Sequence, residues 1–265
     1  MQYNNVFVES LGYTLPEQVL SSVDLEKQLD PVYQRLSLRA GRLELMTGIT
    51  ERRFWKQGTL PGDKSIESGQ QAIAAADFDV SKIGMLIHGS VCRDHLEPAT
   101  ACRVHHALEL PSECTIYDVS NACLGQLNGI ILAANAIELG HMDAALIVGT
   151  EDSRPLVENT IESLNSGEHW TRKTIKMAVA SLTIGSASSA ILLTNEANSS
   201  TGNRLCTATA HANTQHHALC QSGKDEAVAA GNSQGADCHA SEIPVQDFLI
   251  IGTVNRQGFG TVLAQ

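Results

Sequence analysis

Thr115-Ile116-Tyr117-Asp118-Val119-Ser120-Asn121-Ala122-Cys123-Leu124-Gly125 is the stretch from which the architecture is read. Ile116, Tyr117 and Val119 are strand formers in a short run, the pattern of a strand covered on both faces. Ser120, Asn121 and Gly125 punctuate that run. Leu127, Ile131, Ala134 and Ile137 then recur at helical spacing until Gly140, and Ala144 to Val148 reads as the next strand. The unit is strand, sharp turn, helix, strand, with Cys123 at the first turn of the helix. Unpaired N–H groups and the positive end of the helix dipole favour an anion there. A thiol so placed is expected to have its pKa lowered from about 8.5 into the range of roughly 3.5–7.5. The small Ala122 and Gly125 leave room for a carbonyl beside backbone N–H groups, in the manner of an oxyanion hole. The residues alone leave two readings open, a nucleophile or a buried structural cysteine.

Outward from this unit the chain alternates strands and helices. Val6 to Leu11 is predicted as a strand closed by Gly12 and Pro16, and Ser21-Ser22-Val23-Asp24 starts a helix that ends at Pro31. A second helical piece covers Val32 to Met46, interrupted near Gly41, and Glu51-Arg52-Arg53-Phe54-Trp55 forms a basic and aromatic patch. Asp63 to Ala76 is a helix, Gly84 to His88 a buried strand, and Glu97-Pro98 opens a helix running to Leu108. Beyond the central unit, Leu156 to Leu164 is helical, a small-residue turn feeds a strand ending at Leu193, and Leu205 to Ala210 opens another. The alternation argues an α/β sheet covered by helices. Residues 1–200 carry this pattern and residues 201–230 begin something further. Residues 231–265 lack periodicity, apart from the apolar run Phe248-Leu249-Ile250-Ile251, and are expected to be poorly structured.

Composition narrows the partners. Twenty-nine acidic residues against 18 basic ones give 265 residues a net charge of −11, with no Lys/Arg-rich run, so no nucleic-acid partner is expected. No stretch approaches the about 18 consecutive apolar residues of a membrane span. Met1-Gln2-Tyr3-Asn4-Asn5 lacks the basic start of a signal peptide. Seven cysteines at irregular spacing fit reduced thiols, and the expected location is the cytoplasm.

Tyr117 to Gly125 resembles the nucleophile segment of the thiolase-fold β-ketoacyl-acyl-carrier-protein synthase III family. Thr47-Gly48-Ile49-Thr50-Glu51-Arg52 upstream, and Ala145-Leu146-Ile147-Val148-Gly149 and Gly185-Ser186-Ala187-Ser188-Ser189-Ala190 downstream, agree in order and separation. The resemblance covers roughly residues 1–230. It implies a layered thiolase-like α/β fold, a homodimer, and Cys123 as the residue acylated from acyl-CoA or acyl-carrier protein before a Claisen condensation. No bound cofactor or metal is implied. Cys92-Arg93-Asp94-His95-Leu96-Glu97-Pro98-Ala99-Thr100 is similar to the segment of the OleA-like branch, which joins two acyl chains. There, a glutamate at the Glu97 position reaches the neighbouring subunit's site as a base. A shielded carboxylate is suited to taking a proton α to a thioester. The alternative is that Glu97 offsets the dipole of the helix that follows it.

The sequence also departs from the family. Arg42 and Met46 stand where side chains that hold the CoA adenine are expected, although Arg42, Arg52 and Arg53 remain available for phosphates. After Val228 nothing resembles the second half, which supplies a His and an Asn to the site; His239 and Asn255 match neither motif. A truncated or replaced second half is expected, with condensation impaired because nothing would stabilise the enolate. Two other outcomes follow from that expectation: a silent fragment retaining dimerisation or carrier binding, or a thioester hydrolase using the same cysteine. Cys92, Cys102, His105 and His106 have no recognised zinc spacing, and His211, His216, His217 and Cys220 read as a solvated segment. Gly231-Asn232-Ser233-Gln234-Gly235 fits the nucleophile-elbow formula but lacks its flanking strand and helix.

Overall fold

The computed structural model describes residues 1–212, 214, 251–254 and 260–263. From the N-terminus come β1 (Phe7–Thr14), β2 (Gln18–Ser21), α1 (Ser22–Gln28), α2 (Asp30–Arg35), α3 (Arg42–Thr47) and β3 (Glu51–Phe54). The central part holds α4 (Pro61–Ala76), β4 (Ile83–Gly89), α5 (Thr100–Ala107), β5 (Thr115–Val119), α6 (Gly125–Glu138) and β6 (Ala144–Glu151). Then follow α7 (Arg154–Ser166), α8 (Val179–Thr183) and β7 (Ala187–Thr194), and β8 (Ile251–Val254) pairs antiparallel with β9 (Gly260–Leu263).

One mixed sheet organises the rest, in the order β1-β7-β6-β4-β5. β4 is parallel to β5 and β6, as strand–helix–strand crossovers require. β7 closes antiparallel on β6 and β1. Side chains of alternate parity enter two different cores. Met85, Ile87, Ala145, Ile147 and Leu193 pack against Ala133, Ala134 and Ile137 of α6. Leu86, Leu146, Val148 and Leu192 pack against Ala72 of α4 and Ala101 and Val104 of α5. A third core joins α1–α3 and Phe54 to α7 and α8. The central strands are therefore apolar on both faces, which is why they read as unbroken hydrophobic runs.

Several expectations are corrected. β5 is an edge strand with Tyr117 half-exposed, not a strand covered on both faces. Gly12 does not close β1; it lies inside it, because a Cβ there would sit 2.0 Å from the Ser68 carbonyl oxygen of α4. Pro31 does not only end α1; it lies in the first turn of α2, where its missing N–H costs nothing. The Arg52, Phe54 and Trp55 patch is buried. Leu205–Ala210 forms no strand; isolated bridges pair Arg204 with Phe7 and Thr207 with Gln2. α5 starts at Thr100, two residues after Pro98.

Candidate active site

Cys123 lies in the turn from β5 into α6. Ala122 takes a φ of 45°, in the left-handed region. The N–H groups of Leu124 and Gly125 return to the carbonyls of Asn121 and Ala122 at 2.9 and 3.4 Å. Leu124 is the N-cap of α6, so the cysteine stands one residue before the cap and not in the first turn as its spacing suggested. Its side chain is exposed, which removes the reading of a packed structural thiol.

Three glycines press this end of α6 onto the sheet. A Cβ on Gly125 would lie 2.9 Å from the Val119 carbonyl oxygen, one on Gly89 2.6 Å from Gln126 Cα, and one on Gly149 2.7 Å from the Gly89 carbonyl oxygen. The helix therefore begins directly over the carboxyl ends of β4, β5 and β6, the place where parallel sheets bind ligands. Gln126 fixes it sideways, donating from Nε2 to the Ser189 carbonyl and accepting from Ser189 Oγ at 2.9 Å.

Neighbouring helix starts are already occupied by carboxylates. Asp118 accepts from the N–H groups of Thr100 and Ala101 at 2.8 and 2.9 Å and so caps α5. Asp94 accepts from the Gly62 N–H at 2.7 Å in the first turn of α4. Among the described residues α6 has no capping side chain, and its first turn holds no acidic residue. Its positive end carries no carboxylate among the described residues, and Cys123 stands beside it.

Glu97 is exposed on the segment between β4 and α5, and its peptide bond to Pro98 is cis. Offsetting the dipole of α5 falls to Asp118, not Glu97. Asp118 has a second neighbour that the sequence reading missed. His88 is fully buried on β4, its Nδ1 3.9 Å from Asp118 Oδ1, and its Nε2 has no partner among the described residues. Burial pushes its pKa down against the pull of Asp118, Asp94 and Glu151, so the imidazole is neutral at pH 7.

The cysteines differ in the same terms. Burial raises the Cys92 thiol to about 12 and Cys114 to about 11. Thiolate is the reactive form, so a raised pKa keeps both protonated until strongly alkaline pH. Mild iodoacetamide treatment of the folded chain is expected to alkylate Cys123 well before Cys92 or Cys114, as read by peptide mass mapping over time. Unfolding should erase the difference. Of the two histidine–cysteine groups noted in the sequence, the first, Cys92, Cys102, His105 and His106, does not converge. Cys92 Sγ accepts from the Asp152 N–H and His105 Nε2 meets the Pro111 carbonyl, while His211 is exposed. Among the described residues no three His, Cys, Asp or Glu stand together as a metal would need. His216, His217, Cys220, the Gly231–Gly235 motif, His239 and Asn255 lie outside the described residues.

A small cavity of about 40 Å³ lies in the third core, with Leu29, Leu43, Ile175 and Leu182 on its walls and Arg42, Arg172 and Lys176 among its lining. Of the three arginines named for phosphates, Arg42 lines this cavity. Arg52 is buried, donating to Ser22 Oγ at 2.8 Å, and Arg53 donates to the Pro16 carbonyl at 3.0 Å. Arg172 donates to the Leu36 and Ser37 carbonyls at 2.7 and 3.1 Å. Cys123 does not line this cavity.

Residues 65–197 match the family model for the thiolase N-terminal domain. The chain is 42% identical over 229 residues to an acyl-CoA:acyl-CoA alkyltransferase of Shewanella oneidensis, covering 85% of this chain and 65% of that protein. It is 30% identical over 153 residues to a β-ketoacyl-acyl-carrier-protein synthase III of Koribacter versatilis, covering 58% and 44%. A crystal structure of a Xanthomonas campestris OleA variant with bound lauric acid and lauroyl-CoA superposes with a TM-score of 0.79 at 30% identity, covering 84% and 66%. The chain thus spans less than two thirds of the length of these relatives. Among the described residues no helix is long and apolar enough to cross a membrane.

Proposed function

This chain belongs to the thiolase family, and on that premise we propose that it takes an acyl group from an acyl-CoA or acyl-carrier-protein thioester onto Cys123, as the first half of an acyl-chain condensation. The observation that carries the reading is the exposed thiol at the one helix start, of three neighbouring starts, that no carboxylate occupies.

The sulfur attacks the thioester carbonyl, the carbon–sulfur bond to the donor breaks, and the donor thiol leaves with the proton. Negative charge on the carbonyl oxygen develops beside the first N–H groups of α6, where the dipole favours it. Arg42 and Lys176, beside the cavity of the third core, are the cations proposed to meet the phosphates of a CoA donor. Glu97 is the base for the second half, taking a proton from the carbon α to a thioester in the site of a second copy, which makes a homodimer the working unit. The α-carbanion left behind attacks the carbonyl of the second acyl thioester, and the new carbon–carbon bond forms as that thioester's carbon–sulfur bond breaks and its thiol leaves with the proton.

A relative named as an alkyltransferase between two acyl-CoA molecules supports this order of events more closely than a hydrolase. Product analysis separates the two. With acyl-CoA alone, the expected outcome is stoichiometric CoA release and an acylated protein, with any further turnover giving a β-keto product. Continuous release of CoA and free fatty acid would identify a hydrolase instead. Folded, monodisperse protein that releases no CoA would reduce the chain to dimerisation or carrier binding.

A further inference from the structure

Glu97 stands in a segment whose two ends are fixed and whose tip is not. On the β4 side, Glu151 of β6 accepts from the N–H groups of Val91 and Cys92 at 2.9 and 3.3 Å. On the α5 side, Asp118 holds Thr100 and Ala101. Between them Asp94, its side chain 3% exposed, makes two contacts to two different helices. Its Oδ1 accepts from Gly62 N–H at 2.7 Å and its Oδ2 from Arg103 at 2.8 Å. Its own N–H donates to Thr100 Oγ1 at 3.1 Å. Gly62 has no side chain because the carboxylate fills that space; a Cβ would lie 2.3 Å from Asp94 Oδ2. Residues 95–98, by contrast, are exposed and make no hydrogen bond among the described residues.

We propose that Asp94 is a positioning residue for Glu97: by binding the start of α4 and Arg103 of α5 at once, it turns the segment into a short arm with a rigid base and one projecting carboxylate. The inference rests on the reading of Glu97 as the base that removes an α-proton. Geometry explains why a base on an exposed arm needs such a root. An ångström of misplacement in a reacting group costs on the order of 10²-fold in rate. Residues 95–98 make no hydrogen bond among the described residues, so their placement depends on how the residues flanking them are held. Among the described residues, Asp94 is the side chain of the segment that hydrogen-bonds to two helices.

Two readouts on the full chain test this. The first is chemical. Protein acylated at Cys123 by octanoyl-CoA is held in D2O, and deuterium on the α-carbon of the acyl group is read by mass after release. In this step the C–H bond breaks, the proton passes to Glu97, the electron pair moves onto the thioester oxygen, and a deuteron from the exchanged carboxyl returns. Wild type is expected to exchange, and Glu97→Gln to lose about 10²-fold or more. Asp94→Ala should lose about 10- to 100-fold. Asp94→Asn should fall between, since its amide oxygen still accepts from Gly62. Acylation of Cys123 should be unchanged within about twofold in the Asp94 variants, and the pH midpoint of exchange unmoved, because the base is still Glu97. The second readout is amide hydrogen exchange of the peptide spanning 91–99, which should lose protection in Asp94→Ala but not in Glu97→Gln. Wild-type α-exchange in Asp94→Ala, or unchanged amide protection there, overturns the proposal. Full α-exchange in Glu97→Gln overturns the reading of Glu97 itself, whatever the amide data show.

Discussion

Cys123→Ser is expected to abolish thioester uptake, lowering the rate of acyl transfer from acyl-CoA by at least about 10³-fold while leaving the melting temperature unchanged. The two halves of this result have separate causes. A serine hydroxyl is a far weaker nucleophile than a thiol and has no base beside it in the described turn. The side chain is exposed, so its replacement removes no core contact, and surface changes of that kind usually stay within about 0.5 kcal/mol. Stopped-flow detection of released CoA thiol measures the first half and thermal denaturation the second.

Gly89→Ala should do the opposite, losing stability and uptake together. The added Cβ would fall 2.6 Å from Gln126 Cα, 2.7 Å from Gln126 N and 2.8 Å from the Gly125 carbonyl carbon, all of them backbone atoms. No rotamer relieves such a contact; α6 must rise from the sheet or β4 must bend. Overpacking of this kind costs about 1–3 kcal/mol, a fall of several degrees in melting temperature for a chain of this size. Lifting the start of α6 also moves Cys123 and the N–H groups that would receive the carbonyl oxygen. Acyl uptake is therefore expected to fall by more than the loss of folded protein explains. Gly149→Ala, whose Cβ would meet the Gly89 carbonyl oxygen at 2.7 Å, should behave alike and add less than independently to Gly89→Ala. Wild-type uptake in a Gly89→Ala protein of lowered stability would detach the glycine contacts from the site.

In the strand–helix–strand unit β6 was legible because Ala144 to Val148 is buried on both faces with no polar residue to break the run. α6 was placed correctly and its inner face in part, through Ala134 and Ile137. The bulky Leu127 and Ile131 chosen from helical spacing are half-buried, whereas Gly125, Gly129, Ala133 and Ala134 meet the sheet. Small residues carry little hydrophobic signal, yet they are what lets a helix lie this close. The same blindness hid Gly12, which reads as a strand terminator and is in fact a contact with α4. The start of α5 was misread because Pro98 is a favoured early helical residue, and the true cap, Asp118, lies on another strand. Asp94, Glu151 and His88 escaped for that reason too. Their roles depend on which strands and helices lie side by side, and spacing along the chain does not show that. Cys123 stood out because its signal is local: a strand end, two small residues and a helix start within a few positions.

Peptide mass mapping after incubation with acyl-CoA tests the central claim most directly. The account predicts a single acyl adduct, on Cys123, labile to hydroxylamine as a thioester is, with Cys92, Cys102, Cys114 and Cys206 unmodified. An adduct distributed over Cys102 or Cys206, or a folded protein that carries no acyl group at Cys123, would contradict it.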